Sequence, residues 1–356
     1  MNGVSLFANV GIAETYINNH GIDIVVANEL LENRARFHHE LYPQCEIIQG
    51  DITNENIYNK ILKKAKAKKC DFLIATPPCQ GMSIAGKMAE NDPRNSLIKY
   101  VIQMIKSLQP KHVMIENVTG VLKTYISAYG VKTKITDYIE NELKPLGYFI
   151  NPTIVDAADF GTPQSRKRAI FLISKIAKWE LPNKQNRITV REVIAHLPSL
   201  ESGEKSPIEY HHAKIHNDRH IAFLKQTPTG KTALENKIHY PKKEDGTRIK
   251  GYSTTYKRIE WDKPAPTITM ANGSISSQNN VHPGRLLKNG TYSDARVLSL
   301  NEIFILTGLP DDWTPPEWSS ENLLRHVIGE GVPPKLISSL LSSLPINKNK
   351  QTKGTT

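Results

Sequence analysis

In the first 155 residues, short apolar runs alternate with longer segments whose apolar residues return every three or four positions, and few folds accept that pattern. Val4 to Ala8, Ile22 to Ala27, Glu46 to Ile48, Phe72 to Ala75 and His112 to Ile115 are predicted strands. Ala13 to Asn19, Leu30 to Glu40, Asn56 to Lys68 and Ser96 to Leu108 are predicted helices. Strands separated by helices pair in parallel through βαβ crossovers, so the expectation is an α/β protein with a doubly wound sheet. A further helix is expected over Ile135 to Leu146, with strands around Phe149 to Val155 and Ala169 to Ile173. In such a sheet ligands bind beyond the carboxyl ends of the strands, and the chemistry is to be sought there.

One of those ends carries a thiol. Phe72 to Ala75 leads into Thr76, Pro77, Pro78, Cys79, Gln80 and Gly81, and two consecutive prolines stop the strand and hold Cys79 in one orientation. Cysteine is as often a small buried hydrophobe, and this stretch alone leaves nucleophile and packing both open. Glu116 closes an otherwise apolar strand, so its carboxylate must be partnered or protonated, as a general acid or as a buried capping acid. In GTPQSRKR, Gly161 to Arg168, alternate residues of an extended segment face the same way, so Arg166 and Arg168 are expected to point together. The first strand ends in LFANVGI, with Asn9 and Gly11 in a turn that lets backbone approach a nucleotide-like ligand. Glu29 closes the second strand, where a carboxylate can accept from ribose hydroxyls or merely favour a helix dipole. Asp51 closes the third, where it can accept from an adenine amino group or cap a helix near Thr53.

PPCQG, followed by Glu116-Asn117-Val118 and then by QSRKR, resembles the DNA (cytosine-5) methyltransferase family of the bacterial restriction-modification type. The resemblance implies a doubly wound, Rossmann-like S-adenosylmethionine-dependent methyltransferase domain with a second, smaller, basic target-recognition domain, and DNA in the cleft. It implies catalytic roles for Cys79, Glu116, Arg166 and Arg168: Cys79 adds to C6 of a flipped cytosine, Glu116 serves N3, Arg166 holds O2, and Arg168 positions the site and favours the thiolate. S-adenosyl-L-methionine would be held by Phe7, Asn9, Gly11, Glu29, Asp51, Ile52, Pro77, Leu97, Glu330 and Val332. Gln80, Ser83, Asn117 and Gln164 would contact the substrate, and the loop with Gly81 and Gly86 would close on it. Metal is not needed. The chain departs from the family's FAGxGG turn at Asn9 and Ile12, and from its closing GN pair at Glu330. A tRNA cytosine-5 methyltransferase would share every catalytic residue, and a catalytically weak DNA-binding subunit is compatible with the three departures.

Beyond about Trp179 the βα alternation fades and Lys, Asn, His, Pro and Tyr become frequent. Lys225, Lys231, Lys237, Lys242, Lys243, Arg248, Lys250, Lys257 and Arg258 interleave with Tyr240, Tyr252 and Tyr256, a mixture suited to phosphates and bases. The net charge of +11 favours the same partner, duplex DNA before a membrane. The expected division is 1–178 for catalysis and cofactor, completed by 325–346, then 179–324 for target recognition and 347–356 as a disordered tail. Three cysteines without a CxxC pair argue against a disulfide scaffold or a cysteine-rich zinc site. His211, His212, His216 and His220 have helical ligand spacing but a polar setting without cysteine, which favours no metal. With no basic leader and no apolar run of membrane-spanning length, the expectation is a cytoplasmic, nucleoid-associated monomer, with a cognate restriction endonuclease as a further partner.

Overall fold

Phe72 to Ala75 is buried along its whole length, with Leu73 and Ala75 in one apolar cluster and Phe72 and Ile74 buried on the opposite side. A strand apolar on both faces needs cover on both faces. A computed structural model, which describes residues 1–78 and 96–346, supplies that cover. Its elements run β1 (Asn2–Leu6), β2 (Asp23–Glu29), α1 (Glu32–Leu41), β3 (Glu46–Gln49), α2 (Glu55–Ala67), β4 (Phe72–Ala75), α3 (Leu97–Leu108) and β5 (His112–Asn117). The hairpin β6 (Tyr125–Ala128) and β7 (Val131–Lys134), α4 (Ile135–Leu143), β8 (Phe149–Asp156) and β9 (Lys167–Ser174) follow.

Seven strands form one sheet in the order β3-β2-β1-β4-β5-β9-β8. The pairs from β3 to β5 are parallel, whereas β9 runs antiparallel to β5 and to β8. The doubly wound expectation is thus met by a mixed sheet. Residues 157–166 between β8 and β9 are too few for a crossover helix, so the chain can only return antiparallel. Ala13 to Asn19 also differs from expectation: two 3₁₀ turns, Ile12–Glu14 and Asn18–His20, replace a helix. Gly11 (φ 82°) and Gly21 (φ 68°) bracket this stretch in left-handed conformations and leave no room for regular α turns. The β6–β7 hairpin has no counterpart in the sequence reading; its Tyr129-Gly130 turn has positive φ at both residues, the geometry of a tight hairpin.

The chain divides into two compact units with borders elsewhere than at 178 and 325. The first comprises Met1–Asp156, Lys167–Lys184 and the chain from Ile337 on; the second comprises Ala157–Arg166 and Gln185–Leu336. Residues 163–166 belong to the second because Ser165 donates to the Ala265 carbonyl (2.7 Å) and Ala265 to that of Pro163 (2.9 Å). The second unit holds α5 (Val190–Ile194), α6 (Asp218–Lys225), α7 (Leu300–Thr307) and α8 (Glu321–Glu330). Helix α8 stays there because buried Arg325 donates to the Leu298 carbonyl (3.0 Å) and to Asn272 Oδ1 (3.1 Å). The last helix, α9 (Pro334–Leu341), straddles the border, and in the first unit Trp179 Nε1 donates to the Leu340 carbonyl at 3.1 Å.

Few ladders tie the second unit together, and buried charge does much of that work. Arg296 is fully buried and donates to both oxygens of Glu302 (2.8 and 2.9 Å) and to Asp294 Oδ1 (2.9 Å). Arg258, equally buried, donates to the carbonyls of Leu224, His282, Ser293 and Asp294. An arginine so enclosed is a bolt between loops, not a phosphate contact, which corrects the expectation for Arg258.

Candidate active site

The turn after β1 is built from left-handed residues: Phe7 (φ 59°), Asn9 (φ 52°) and Gly11 (φ 82°). Asn tolerates that conformation, which explains why Asn9 can stand in the turn. Gly11 cannot be replaced so easily, because a Cβ there would lie 2.3 Å from a ring carbon of Tyr42. Glu29, at the end of the neighbouring β2, is buried and accepts from the backbone N–H of Asn9 on one oxygen and of Leu31 on the other, both at 2.9 Å. A carboxylate has about four acceptor positions, so two backbone bonds fix it and leave capacity for hydroxyl donors. At the end of β3, Asp51 Oδ1 accepts from the Thr53 N–H (2.8 Å), while Asn54 caps α2; the capping alternative for Asp51 is thereby corrected. Ile52 is buried beside it, and Leu97 opens α3 against the main apolar cluster.

Sequence reasoning overlooked the layer beneath this turn. Tyr42 Oη donates to the Gly11 carbonyl at 2.8 Å. Next to it, His38 Nε2 lies 3.0 Å from Glu14 Oε2, both side chains enclosed. Burial, with Glu14 second, pushes the Tyr42 phenol well above its usual range, so it stays a neutral donor. The signal was the i, i+4 spacing of His38 and Tyr42 at the end of α1. The bare backbone at Gly11, the locked Glu29 carboxylate and Asp51 fit a cofactor that carries a nucleoside. Glu330 and Val332, assigned to the same cofactor by resemblance, belong to the second unit: Glu330 ends α8 and Val332 is buried.

The ends of β4 and β5 are tied to each other and to β1. Thr76 Oγ1 donates to the Phe7 carbonyl (3.0 Å), and Asn117 Nδ2 donates to that of Pro77 (3.0 Å) while its Oδ1 accepts from the Val118 N–H. Asn117 thus holds the proline mouth. Glu116, 6% exposed, accepts from Arg168 Nε at 2.7 Å, an ion pair made possible by the β5–β9 register. Cys79, Gln80 and Ser83 lie outside the described residues.

Arg166 and Arg168 do not share partners as their alternation suggested. The Arg166 guanidinium is buried in the second unit and donates to the carbonyls of Ile268 (2.8 Å), Gly329 (2.9 Å) and Glu330 (3.2 Å). Gln164 is likewise buried, accepting from the Ile268 N–H at 3.2 Å. Both residues pin the segment from Lys263 to Thr269, because the chain leaves the sheet after Asp156 and re-enters it only at Lys167.

A sequence model of the C-5 cytosine-specific DNA methylase family matches residues 1–345. The chain belongs to that family. It is 49% identical over 353 residues to type II methyltransferase M1.HgaI of Avibacterium volantium, covering 98% of each chain. It is 28% identical to type II methyltransferase M1.HphI of Haemophilus parahaemolyticus, covering 98% of this chain and 87% of that one. A DNA modification methyltransferase encoded within an Escherichia coli prophage has the same fold, with a TM-score of 0.69 at 20% identity, covering 96% of this chain and 98% of that one. So has Spodoptera frugiperda DNMT2, with a TM-score of 0.64 at 15% identity over 96% and 98% of the two chains.

In this cytosine-5 methylase Gly329 has a packing reason of its own: a Cβ there would lie 2.4 Å from the Thr269 backbone. The four spaced histidines go to different partners. His211 pairs with Ser299 and the Pro198 carbonyl, His212 with Glu321, His216 with the Val297 N–H, and the His220 ring packs on Phe223. No helix among the described residues is long and apolar enough to cross a membrane.

Proposed function

We propose that this chain is the methyltransferase of a type II restriction-modification system, moving a methyl group from S-adenosylmethionine to C5 of a cytosine flipped out of one short duplex sequence. A cognate endonuclease would share that sequence, and chromosomal DNA in the cytoplasm would be its working substrate. The observation that carries the reading is the Glu116–Arg168 ion pair at the end of β5, beside the Pro77-Pro78 mouth that leads into Cys79. The full-length likeness to a type II methyltransferase supports it.

Cytosine C5 is a poor nucleophile until the ring is activated. The Cys79 thiolate adds to C6, forming a C–S bond and moving the ring's electron pair toward C5. Glu116 stabilises the charge that reaches N3, and Arg168, already on Glu116, takes the O2 role that sequence reasoning gave to Arg166. The bound cofactor supplies the electrophilic methyl group. Loss of the C5 proton then expels Cys79 and restores the ring. Phe7, Asn9, Gly11, Glu29 and Asp51 hold the cofactor, and the second unit reads the target.

Bisulfite sequencing of DNA from cells expressing the protein beside a Cys79→Ala version tests the reading. One short methylated motif is expected with the former and none with the latter. A duplex with 5-fluorocytosine in that motif should trap a covalent complex through Cys79; RNA methylated in preference to duplex would overturn the substrate assignment.

A further inference from the structure

Behind the turn after β1, within the first unit, an acid and a histidine are sealed from water. Glu14 ends the 3₁₀ turn Ile12–Glu14, and His38 lies in the last turn of α1. Their side chains are 3% and 0% exposed, and His38 Nε2 donates to Glu14 Oε2 at 3.0 Å. Each keeps one further polar atom, Glu14 Oε1 and His38 Nδ1, buried with no hydrogen-bond partner among the described residues. A buried polar pair that is only half satisfied costs stability that apolar side chains of similar volume would not. Its presence at this spot calls for a reason other than packing.

The reason lies in what the pair touches. The His38 ring packs on Tyr42, with centroids 5.0 Å apart and planes tilted by 47°. Burial first, and Glu14 second, hold the phenol in its neutral form. Tyr42 donates to the Gly11 carbonyl at 2.8 Å, and the Glu14 N–H reaches the same oxygen at 2.9 Å. Gly11, with φ at 82° and no side chain, rests on both rings: a Cβ there would lie 2.3 Å from Tyr42 and 3.1 Å from His38. Tyr42 stands at the C-cap of α1, past the helix's regular backbone, so the aim of its hydroxyl depends on what packs against it.

We propose that His38 and Glu14 are positioning residues for the methyl donor: locked to each other, they hold Tyr42 against Gly11 and so keep the first turn in the shape that receives S-adenosylmethionine. They act through Tyr42 and not by touching the cofactor. The proposal rests on the cofactor reading above and goes one layer deeper.

Calorimetry and steady-state methylation of a duplex carrying the motif recovered by bisulfite sequencing test it on the full-length protein. Glu14→Met with His38→Leu removes the pair without leaving either group alone, so the melting temperature should stay at or above the wild-type value. The dissociation constant and KM for S-adenosylmethionine should nevertheless rise about fivefold, with little change in kcat at saturating cofactor. Tyr42→Phe should weaken cofactor binding in the wild-type background and add nothing in the double variant. His38→Gln, whose amide reaches the Nε2 position, should bind nearly as the wild type does, whereas His38→Asn, whose amide stops at Nδ1, should not; this comparison decides if the double variant fails to fold. Wild-type affinity in a folded double variant, equal affinities of the Gln and Asn variants, or effects of Tyr42→Phe and the double variant that simply multiply would overturn the proposal. A wild-type protein that binds no S-adenosylmethionine would instead overturn the function on which it rests.

Discussion

If the first turn holds the methyl donor as proposed, two side chains set how firmly its backbone is fixed. Tyr42 supports the Gly11 carbonyl from below, and Glu29 fixes the Asn9 amide from the side. Tyr42→Phe keeps the ring but deletes one hydrogen bond, so calorimetric affinity for S-adenosylmethionine should fall about fivefold, the worth of about 1 kcal/mol. Gly11→Ala should do more, because the new Cβ meets the Tyr42 ring at 2.3 Å with φ at 82°; binding should be lost while the protein still folds. On the catalytic side the two arginines are expected to separate cleanly. Arg168→Ala removes the partner of Glu116 and should slow methylation by about two orders of magnitude with a small change in melting temperature. Arg166→Lys keeps the charge but cannot bridge three carbonyls, and should cost about 3 kcal/mol in stability. If Arg166→Lys proved as stable as wild type and catalytically dead, the reassignment of the O2 contact would fail.

The elements most easily read from sequence were those whose own residues dictate them. Helix α3 has apolar residues at three- and four-residue spacing, five of them buried, and it lies where that pattern predicted. Strand β4, apolar throughout, needed no context. The stretch after Gly11 was misread because helical spacing says nothing about flanking backbone: left-handed Gly11 and Gly21 restrict it to 3₁₀ turns. The β6–β7 hairpin was missed because its strands are only four residues each and its turn is Tyr-Gly, a weak signal beside Asn-Gly. Its inward face is short, Ile126 and Ala128, yet both are buried in the main cluster. Charged substitution at Ile126 should therefore destabilise the first unit by about 3 kcal/mol in urea unfolding, whereas Ser127 should tolerate it.

The protein as a whole carries a pH dependence from histidines that burial depresses, among them His112 in the first unit and His216 and His282 in the second. Burial pushes His112 down to about 4 and His282 down to about 3. For His282 the geometry agrees, since its Nδ1 accepts from the Gly284 N–H at 3.1 Å and so carries no proton, despite Asp294 and Glu302 nearby. Each folded value lies below the unfolded one near 6.5, so the unfolded chain binds the extra proton as the medium becomes acid. Stability should be full above pH 6.5 and fall between there and about pH 4, by about 1.4 kcal/mol per pH unit for each histidine. Urea unfolding at pH 7, 6 and 5 measures this, and His282→Gln should remove one proton from the slope. A flat profile over that range would mean that these rings take up their protons in the fold as readily as in the unfolded chain.

The order of the five parallel strands and of helices α1, α2 and α3 between them, the thiol after two prolines, the acidic strand end and the paired arginines were legible, because each is a local pattern with a local physical cause. The family followed from the order of those patterns along the chain. What a guanidinium bonds to is different in kind. Arg166 and Arg168 are two residues apart and chemically identical, yet one is enclosed by backbone carbonyls from distant loops and the other meets Glu116. The same holds for Arg248 and Arg258, which in sequence look like phosphate contacts beside the lysines; in the fold Arg248 clasps the carbonyls of Leu234 and Asn236, and Arg258 is a bolt. Spacing reports which way the backbone can aim a side chain; only the packed chain brings together residues a hundred positions apart and so decides which cations stay exposed for a polyanion.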